Sequence, residues 1–333
     1  MAAWLRSLRL IFLGLGLGLG LAATAALTSA PALADAYPAR PIRLIVPFPA
    51  SGATDLLARA IAQKVGADLG QQIVVDNRPG AGGAIGSDMA AKSPPDGYTL
   101  LIATTSTHSV GPHISRLPYN TETDFTPIGE VAVATNVLLV PNSLPVANVR
   151  ELVDYAKKNP GKLNYASSGN GTIVQLTAEA FKAQAGVDIT HIPYRGTALA
   201  IPDLISGKVH VLFDSIVSGL PHVKDGKLKA LAVTSAARSP LAPGIPTVSE
   251  SGLPDFVSDT WFGIYGPRGL PADIVSRLNA AFNQAIQSPD VKARLARLGA
   301  EPVGGTPAQF AAVVKQDSAR WGKLIHDRGI TAE

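Results

Sequence analysis

The residues best suited to hold a ligand lie at five places where a β-rich run gives way to a helical pattern or a loop. They are Phe48-Pro49-Ala50-Ser51-Gly52-Ala53-Thr54-Asp55, Thr104-Thr105-Ser106-Thr107-His108, Ser167-Ser168-Gly169-Asn170-Gly171-Thr172, Tyr194-Arg195-Gly196-Thr197 and Asp214-Ser215. Their side chains are mostly small, hydroxyl-bearing or absent, and Arg195 is the one Lys or Arg among them. That chemistry suits an anion. The first N–H groups of a helix have no intrahelical partner and carry partial positive charge, so several helix starts aimed at one cleft bind a carboxylate without lysines or a metal. Burying the carboxylate costs several kcal/mol, and each charge-assisted hydrogen bond returns roughly 1.5–3 kcal/mol, so three or four donors leave a net gain.

Each junction also has a plainer reading. Ser, Thr, Asp and Gly are ordinary N-cap residues. Asp55 can serve the dipole of its own first helical turn, Arg195 can pair with a surface acid, and Trp261 and Phe262 can be core. The stretch Gly80-Ala81-Gly82-Gly83-Ala84-Ile85-Gly86 contains G-x-G-x-x-x-G between a strand and a helix, a pattern able to cradle a dinucleotide. It follows the second strand, however, and the next strand ends in Thr104-Thr105 with no acid for a ribose, so a tight turn near a lobe interface is expected there. The chain has no G-x-S-x-G, H-E-x-x-H or G-K-[ST] motif, and its His residues are scattered. With no cysteine, disulfides, thiol nucleophiles and Cys-ligated metals are excluded.

The elements that position these loops alternate. Ile42–Val46, Ile73–Val75, Thr99–Ala103, Val137–Val140, Leu163–Ala166, Ile189–Ile192, Val209–Phe213 and Leu228–Val233 read as strands. Between them, Thr54–Leu69, Ile85–Ala91, Val149–Lys158, Thr172–Ala185 and Ala198–Ser206 read as helices. In the first, Leu57, Ile61, Val65 and Leu69 recur every four residues before Gly70. Two further helical patterns follow, one on Ile274, Leu278, Phe282 and Ile286, the other on Phe310, Val314, Trp321 and Ile325. This is an α/β fold with largely parallel sheets. No flexible linker stands out, so two lobes joined by strands that cross near Thr135-Asn136 and Asp259-Thr260 are expected: 35–135 plus 260–333 as lobe 1, and 136–259 as lobe 2.

The 333 residues are 46% apolar and 16% charged, enough for a large core and against a disordered or coiled-coil chain. The net charge is +4, and setting aside Arg6 and Arg9 near the start leaves +2. No basic run tracks a phosphate backbone, so nucleic acid is excluded as a partner. Those two arginines open a leader: an apolar Leu-Gly stretch, Leu10–Leu27, and a small-residue tripeptide, Ala32-Leu33-Ala34, follow. This is the layout of a secretory signal peptide over residues 1–34, with cleavage after Ala34 and a mature chain in the periplasm.

The chain resembles the substrate-binding receptors of tripartite tricarboxylate transporters, the Bug-type periplasmic receptors. The likeness runs from about Tyr37 to Ile330. It is carried by Tyr37-Pro38 with Pro41-Ile42-Arg43-Leu44-Ile45-Val46-Pro47-Phe48, by Asn77-Arg78-Pro79-Gly80-Ala81-Gly82-Gly83, and by Pro95-Asp96-Gly97-Tyr98-Thr99-Leu100. Pro193-Tyr194-Arg195-Gly196 and Trp261-x-Gly263, with Pro267 and Pro271, complete the set. The resemblance implies a two-lobed type II periplasmic-binding-protein fold that closes on a solute like a flytrap, with no cofactor and no chemistry. It implies a carboxylate met by the first loop, Ser51 to Asp55, and a second-lobe contribution from Ser167 to Thr172 and Tyr194 to Thr197. Asp214 would read a second polar group of the ligand. With the junction reading, the candidate ligand-binding residues are Phe48, Ser51, Gly52, Ala53, Thr54 and Asp55; Thr105, Ser106 and His108; Ser167, Ser168, Gly169, Gly171 and Thr172; Tyr194, Arg195, Gly196 and Thr197; and Asp214, Trp261 and Phe262. Two departures concern ligand preference: Ser51 and Ala53 flank Gly52 where the family often has consecutive glycines, and Gln175 stands where a His is common.

The expectation is a monomeric periplasmic receptor for a small organic carboxylate that serves membrane transporter subunits or a sensor kinase. The alternative is an exported hydrolase or lyase using Asp55 or Asp214 as base. With Arg195 as the one cation in these loops, a mono- or dicarboxylate is favoured over a trivalent ligand.

Overall fold

The computed structural model describes residues 37–331, and the expected leader, 1–34, lies outside the described residues. The unit beginning at Arg40 carries the fold. Strand β1 (Ile42–Val46) leads through the first loop into helix α1 (Ala53–Leu69), which buries Leu57, Ile61 and Val65 and stops at left-handed Gly70. Then come β2 (Ile73–Asn77), a short turn at Ala81–Gly83, α2 (Ala84–Ala91) and β3 (Thr99–Thr104). A π-helical turn, Thr105–Val110, runs into the short α3 (Gly111–Ile114). The long strand β4 (Phe125–Pro141) follows. Next are α4 (Val149–Lys158), β5 (Asn164–Ser167), α5 (Ile173–Ala185), β6 (Thr190–Pro193), α6 (Thr197–Ile205), β7 (Val211–Ser215), α7 (Ile216–Lys224) and β8 (Leu228–Val233). The chain finishes with β9 (Asp259–Pro267), α8 (Ala272–Gln287), α9 (Pro289–Leu298), β10 (Ala300–Pro302) and α10 (Pro307–Arg328).

The strand order is β2-β1-β3-β9-β4-β7-β5-β6, with β8 and β10 also on β4. Pairing is parallel at both ends of this path, β2-β1-β3 and β7-β5-β6, as βαβ units require. The centre differs from the largely parallel expectation. Every pairing made by β4 and β9 is antiparallel, so the sheet is mixed. Strand β4 changes neighbours along its length: it pairs with β9 down to Thr135↔Asp259, and from Asn136↔Ser215 onward it pairs with β7 and β8. The turnover point is tied by polar bonds. Asn136 Nδ2 donates to Ser258 O at 2.8 Å, the Asn136 amide to Thr234 Oγ1 at 3.1 Å, and Thr260 Oγ1 to Asn136 Oδ1 at 3.3 Å.

Apolar packing forms separate clusters on the two parts of the sheet. One gathers Ile45, Leu101, Ala103, Phe125, Trp261, Tyr265 and Phe310. The others gather around Leu138, Tyr165, Phe181 and Phe213, and around Val137, Leu176, Leu204 and Leu212. Helix α10 contributes Phe310 to the first and Trp321 and Ile325 to the last, so it straddles both parts.

Candidate functional site

A small pocket of about 60 Å³ lies where the helix starts of both parts meet. Phe48, Gly52, Ala53 and Thr54 reach it from the first loop and α1, and Ser106 from the π-helical turn. Ser168, Gly196, Thr197 and Asp214 reach it from the opposite side, with Phe262 on β9. Ten of the candidate residues therefore share one pocket. Its lining also includes Pro49, Thr104, Asn136, Ile173, Val174, Ala198, Ser215 and Thr260. Pro49, Thr104 and Ser215 sit in the junctions that the sequence marks. Asn136 and Thr260, expected only at the strand crossings, are not among the site candidates, because they reach the pocket through the strands that pass between the two parts.

The donors are backbone amides. Helix α1 starts at Gly52 and α6 at Gly196, and neither has a side-chain cap. Helix α5 starts at Thr172, whose Oγ1 donates to Gly169 O at 2.7 Å instead of capping the helix. The first amides of these helices lack intrahelical partners, and the residues that carry them, Ala53 and Thr54, Val174, and Thr197 and Ala198, line the pocket. No Lys, Arg or His is in the lining, and Asp214 is its one charged residue. Asp214 Oδ1 accepts from the Ser215 amide at 2.9 Å and Oδ2 from Ser218 Oγ at 2.8 Å. Burial pushes the Asp214 carboxyl up to about 6, against the lowering effect of the bonds from Ser218, Thr197 and the Ser215 amide.

The two sides touch around the pocket. The Ile173 amide donates to Ser106 Oγ at 3.0 Å. A Cβ at Gly196 would fall 2.8 Å from Pro49 Cγ, and one at Gly82 would fall 2.8 Å from Asn170 O. The glycine-rich turn at Ala81–Gly83 is thus packed against the opposite side.

Eleven candidates do not line the pocket, for identifiable reasons. Asp55 turns away from it: Arg59, four residues on in α1, donates to it at 2.9 Å, and the Ser51 amide donates to it at 2.9 Å. Burial raises the Asp55 carboxyl, but the bonds from Arg59, the Ser51 amide and Asn77 outweigh it and hold the group below its ordinary value. Asp55 and Ser51 therefore shape the first loop, and a carboxylate so engaged is a poor base. His108 sits among Tyr265, Phe125 and Tyr119, and burial pushes it down to about 3. Thr105 Oγ1 accepts from the Trp261 amide, and Trp261 Nε1 donates to Asp317 at 2.9 Å, so both residues brace β9. Ser167, Gly169, Gly171 and Thr172 are held in their own loop. Ser167 Oγ is 2.7 Å from His191 Nε2, and the Gly171 amide donates to Gln175 Oε1 at 2.7 Å. Tyr194 donates to Asp203, and Tyr194 and Arg195 line an outer groove with Gly169 and Arg116.

A family model described as tripartite tricarboxylate transporter family receptor matches residues 57–330. The chain belongs to this receptor family. Protein BugT of Bordetella pertussis is 38% identical to the receptor over 303 residues, covering 90% of this chain and 93% of that one. An R. palustris protein solved with adipate superposes with a TM-score of 0.86 at 38% identity, covering 89% of the receptor and 99% of that chain. MatC from Rhodopseudomonas palustris with bound malate superposes with a TM-score of 0.83 at 33% identity, over 87% of the receptor and 99% of that chain. The two-lobed periplasmic-binding-protein fold and the Bug-type relationship follow, and the reading of the chain as a hydrolase or lyase finds no support in these relatives.

Proposed function

We propose that the receptor captures a small mono- or dicarboxylate between its lobes in the periplasm and delivers it, chemically unchanged, to the membrane subunits of a tripartite transporter. The observation that carries this reading is the set of uncapped helix starts, from opposite sides, around a pocket that has no cation. Such a pocket replaces a carboxylate's water with fixed amides and offers nothing to balance three negative charges. Adipate and malate in the relatives support the ligand class.

In this reading the moving bodies are 35–135 plus 260–333 and 136–259, hinged where β4 and β9 pass from one to the other, and export follows removal of residues 1–34. Phe48, Gly52, Ala53, Thr54, Ser106, Ser168, Gly196, Thr197 and Asp214 contact the solute, with Phe262 as an apolar wall. Asp214 faces a hydroxyl or the second carboxyl group. The test is thermal denaturation with a panel of mono-, di- and tricarboxylates, after native mass spectrometry shows that no solute co-purified. A ligand at 100 times its Kd adds about 2.7 kcal/mol of stability. Flat melting curves across the whole panel would sink the proposal, as would turnover of any panel compound.

A further inference from the structure

A second cavity, of about 330 Å³, opens on the other face of β9. Thr260 and Phe262 face the inter-lobe pocket, whereas Asp259 and Trp261 face this one, as alternate residues of a strand do. Strand β4 adds Glu130 and Val133, and α10 adds Val313, Asp317 and Arg320.

The charges here do not balance. The Arg320 guanidinium is already engaged: it pairs with Asp317 at 3.0 Å, donates to Val257 O at 3.4 Å and lies over the Trp321 ring. Asp317 uses its other oxygen to accept from Trp261 Nε1. Two carboxylates remain. Glu130 is only 6% exposed and lines the cavity, and its carboxylate has no hydrogen-bond or ion-pair partner among the described residues. Asp259 Oδ1 is buried and likewise without a partner. Leaving a buried carboxylate unpaired costs several kcal/mol. Glu130 registers that cost: burial and the nearby Asp317 charge push it up to about 7. Asp259, whose carboxylate takes a bond from Thr135 and feels Arg320, is still pushed up to about 6 by burial, with Glu301 adding like charge.

The two acids stand apart. Glu130 pairs in register with Gly263, and Thr135 with Asp259, so their positions are separated by roughly 13 Å of strand. Trp261 lies between those positions on β9. No group of His, Asp and Glu among the described residues is placed to hold a metal ion. Separated acids at the two ends of an indole floor fit two separate positive charges joined by an apolar chain, and an ammonium beside indole also gains cation–π attraction.

We propose that this cavity binds a short linear alkyl diammonium ion, one ammonium at Glu130, the other at Asp259, with the methylene chain against Trp261, Val133 and Val313. The test is calorimetric titration of the purified receptor with butane-1,4-diamine above pH about 7, where Glu130 is ionised, with tryptophan fluorescence as a second readout. Saturable binding is expected, with n-butylamine weaker by at least about tenfold, or about 1.4 kcal/mol. Glu130→Gln and Asp259→Asn should each weaken the diamine by a similar factor. Glu130→Gln removes an unpaired buried charge, so its melting temperature should hold or rise, which separates lost binding from lost folding. No saturable heat at millimolar diamine, equal affinity for the monoamine, or unchanged affinity in both variants would overturn the proposal.

Discussion

Helix α4 begins at Asn148, whose side chain accepts from the Glu151 amide at 2.9 Å, and α10 begins at Thr306, which accepts from the Gln309 amide within a reciprocal capping box. Helices α1 and α6 begin at Gly52 and Gly196, which have no side chain to do this, and α5 begins at a Thr whose hydroxyl is turned to another carbonyl. The first pair starts at exposed surface, and the second set starts at the inter-lobe pocket. A missing cap alone does not mark a site, since α8 and α9 also lack side-chain cap bonds. What distinguishes the pocket is that several uncapped starts converge there. A helix end closed by its own side chain is finished, whereas an end left open keeps its amides for whatever enters.

The sharpest way to break this contrast is to block the close approach that brings the open ends together. Gly196 has φ 135°, and a Cβ there would meet Pro49 Cγ at 2.8 Å and Cδ at 3.0 Å. Gly196→Ala should hold the lobes apart and weaken the carboxylate by about 100-fold, or about 2.7 kcal/mol, as read by calorimetry. Undiminished affinity would show that this contact is not part of closure.

A smaller effect, of distinctive form, is expected from Asp214. Its carboxyl is raised from 3.8 to about 6, chiefly by burial. A raised acid stabilises the fold fully below its unfolded value, and that contribution is lost as pH rises through its folded value. A carboxylate ligand beside the ionised Asp214 is repelled, so binding draws a proton onto it. Affinity should therefore rise as pH falls through about 6, by at most about tenfold per pH unit. Asp214→Asn should flatten this dependence. A wild-type affinity independent of pH across that window would remove Asp214 from ligand recognition.

These features were unequally legible in the sequence. The βα units of both ends were readable because Leu57, Ile61 and Val65, or Ile42–Val46, carry their period or composition locally. The first half of β4 and the body of β9, beyond the crossing expected at Asp259-Thr260, were not. Pro127, Gly129, Gly263 and Gly266 interrupt them, and central strands buried on both faces show no alternation. Gly263 makes sense only in three dimensions, where a Cβ would lie 2.0 Å from Phe310 Cζ. Gly52, Thr54, Gly196 and Thr197, picked by residue type at a strand-to-helix junction, line the pocket. His108 and Trp261 do not line it, because their ring and hydrogen-bond partners come from remote segments. For Asp55 a signal existed: Arg59 at i+4 is the spacing of a helical ion pair, and it turns the acid away from the pocket.

The last test works on the finished ends. Asn148→Ala and Thr306→Ala remove bonds to the Glu151 and Gln309 amides. Each should lower stability by about 1 kcal/mol, measured by chemical denaturation, and leave carboxylate affinity unchanged. The complementary change, Gly52→Ser, offers α1 the cap that it lacks. Gly52 has φ −79° and ψ 167°, a conformation open to any residue, and its Cβ would meet nothing closer than Pro49 O at 3.4 Å. The serine hydroxyl would then accept from an early α1 amide, so stability should hold or rise by a few tenths of a kcal/mol while affinity falls severalfold. If capping α1 left the carboxylate equally tight, the open amides of that helix would not be its donors, and the contrast between finished and open helix ends would lose its functional meaning at the first loop.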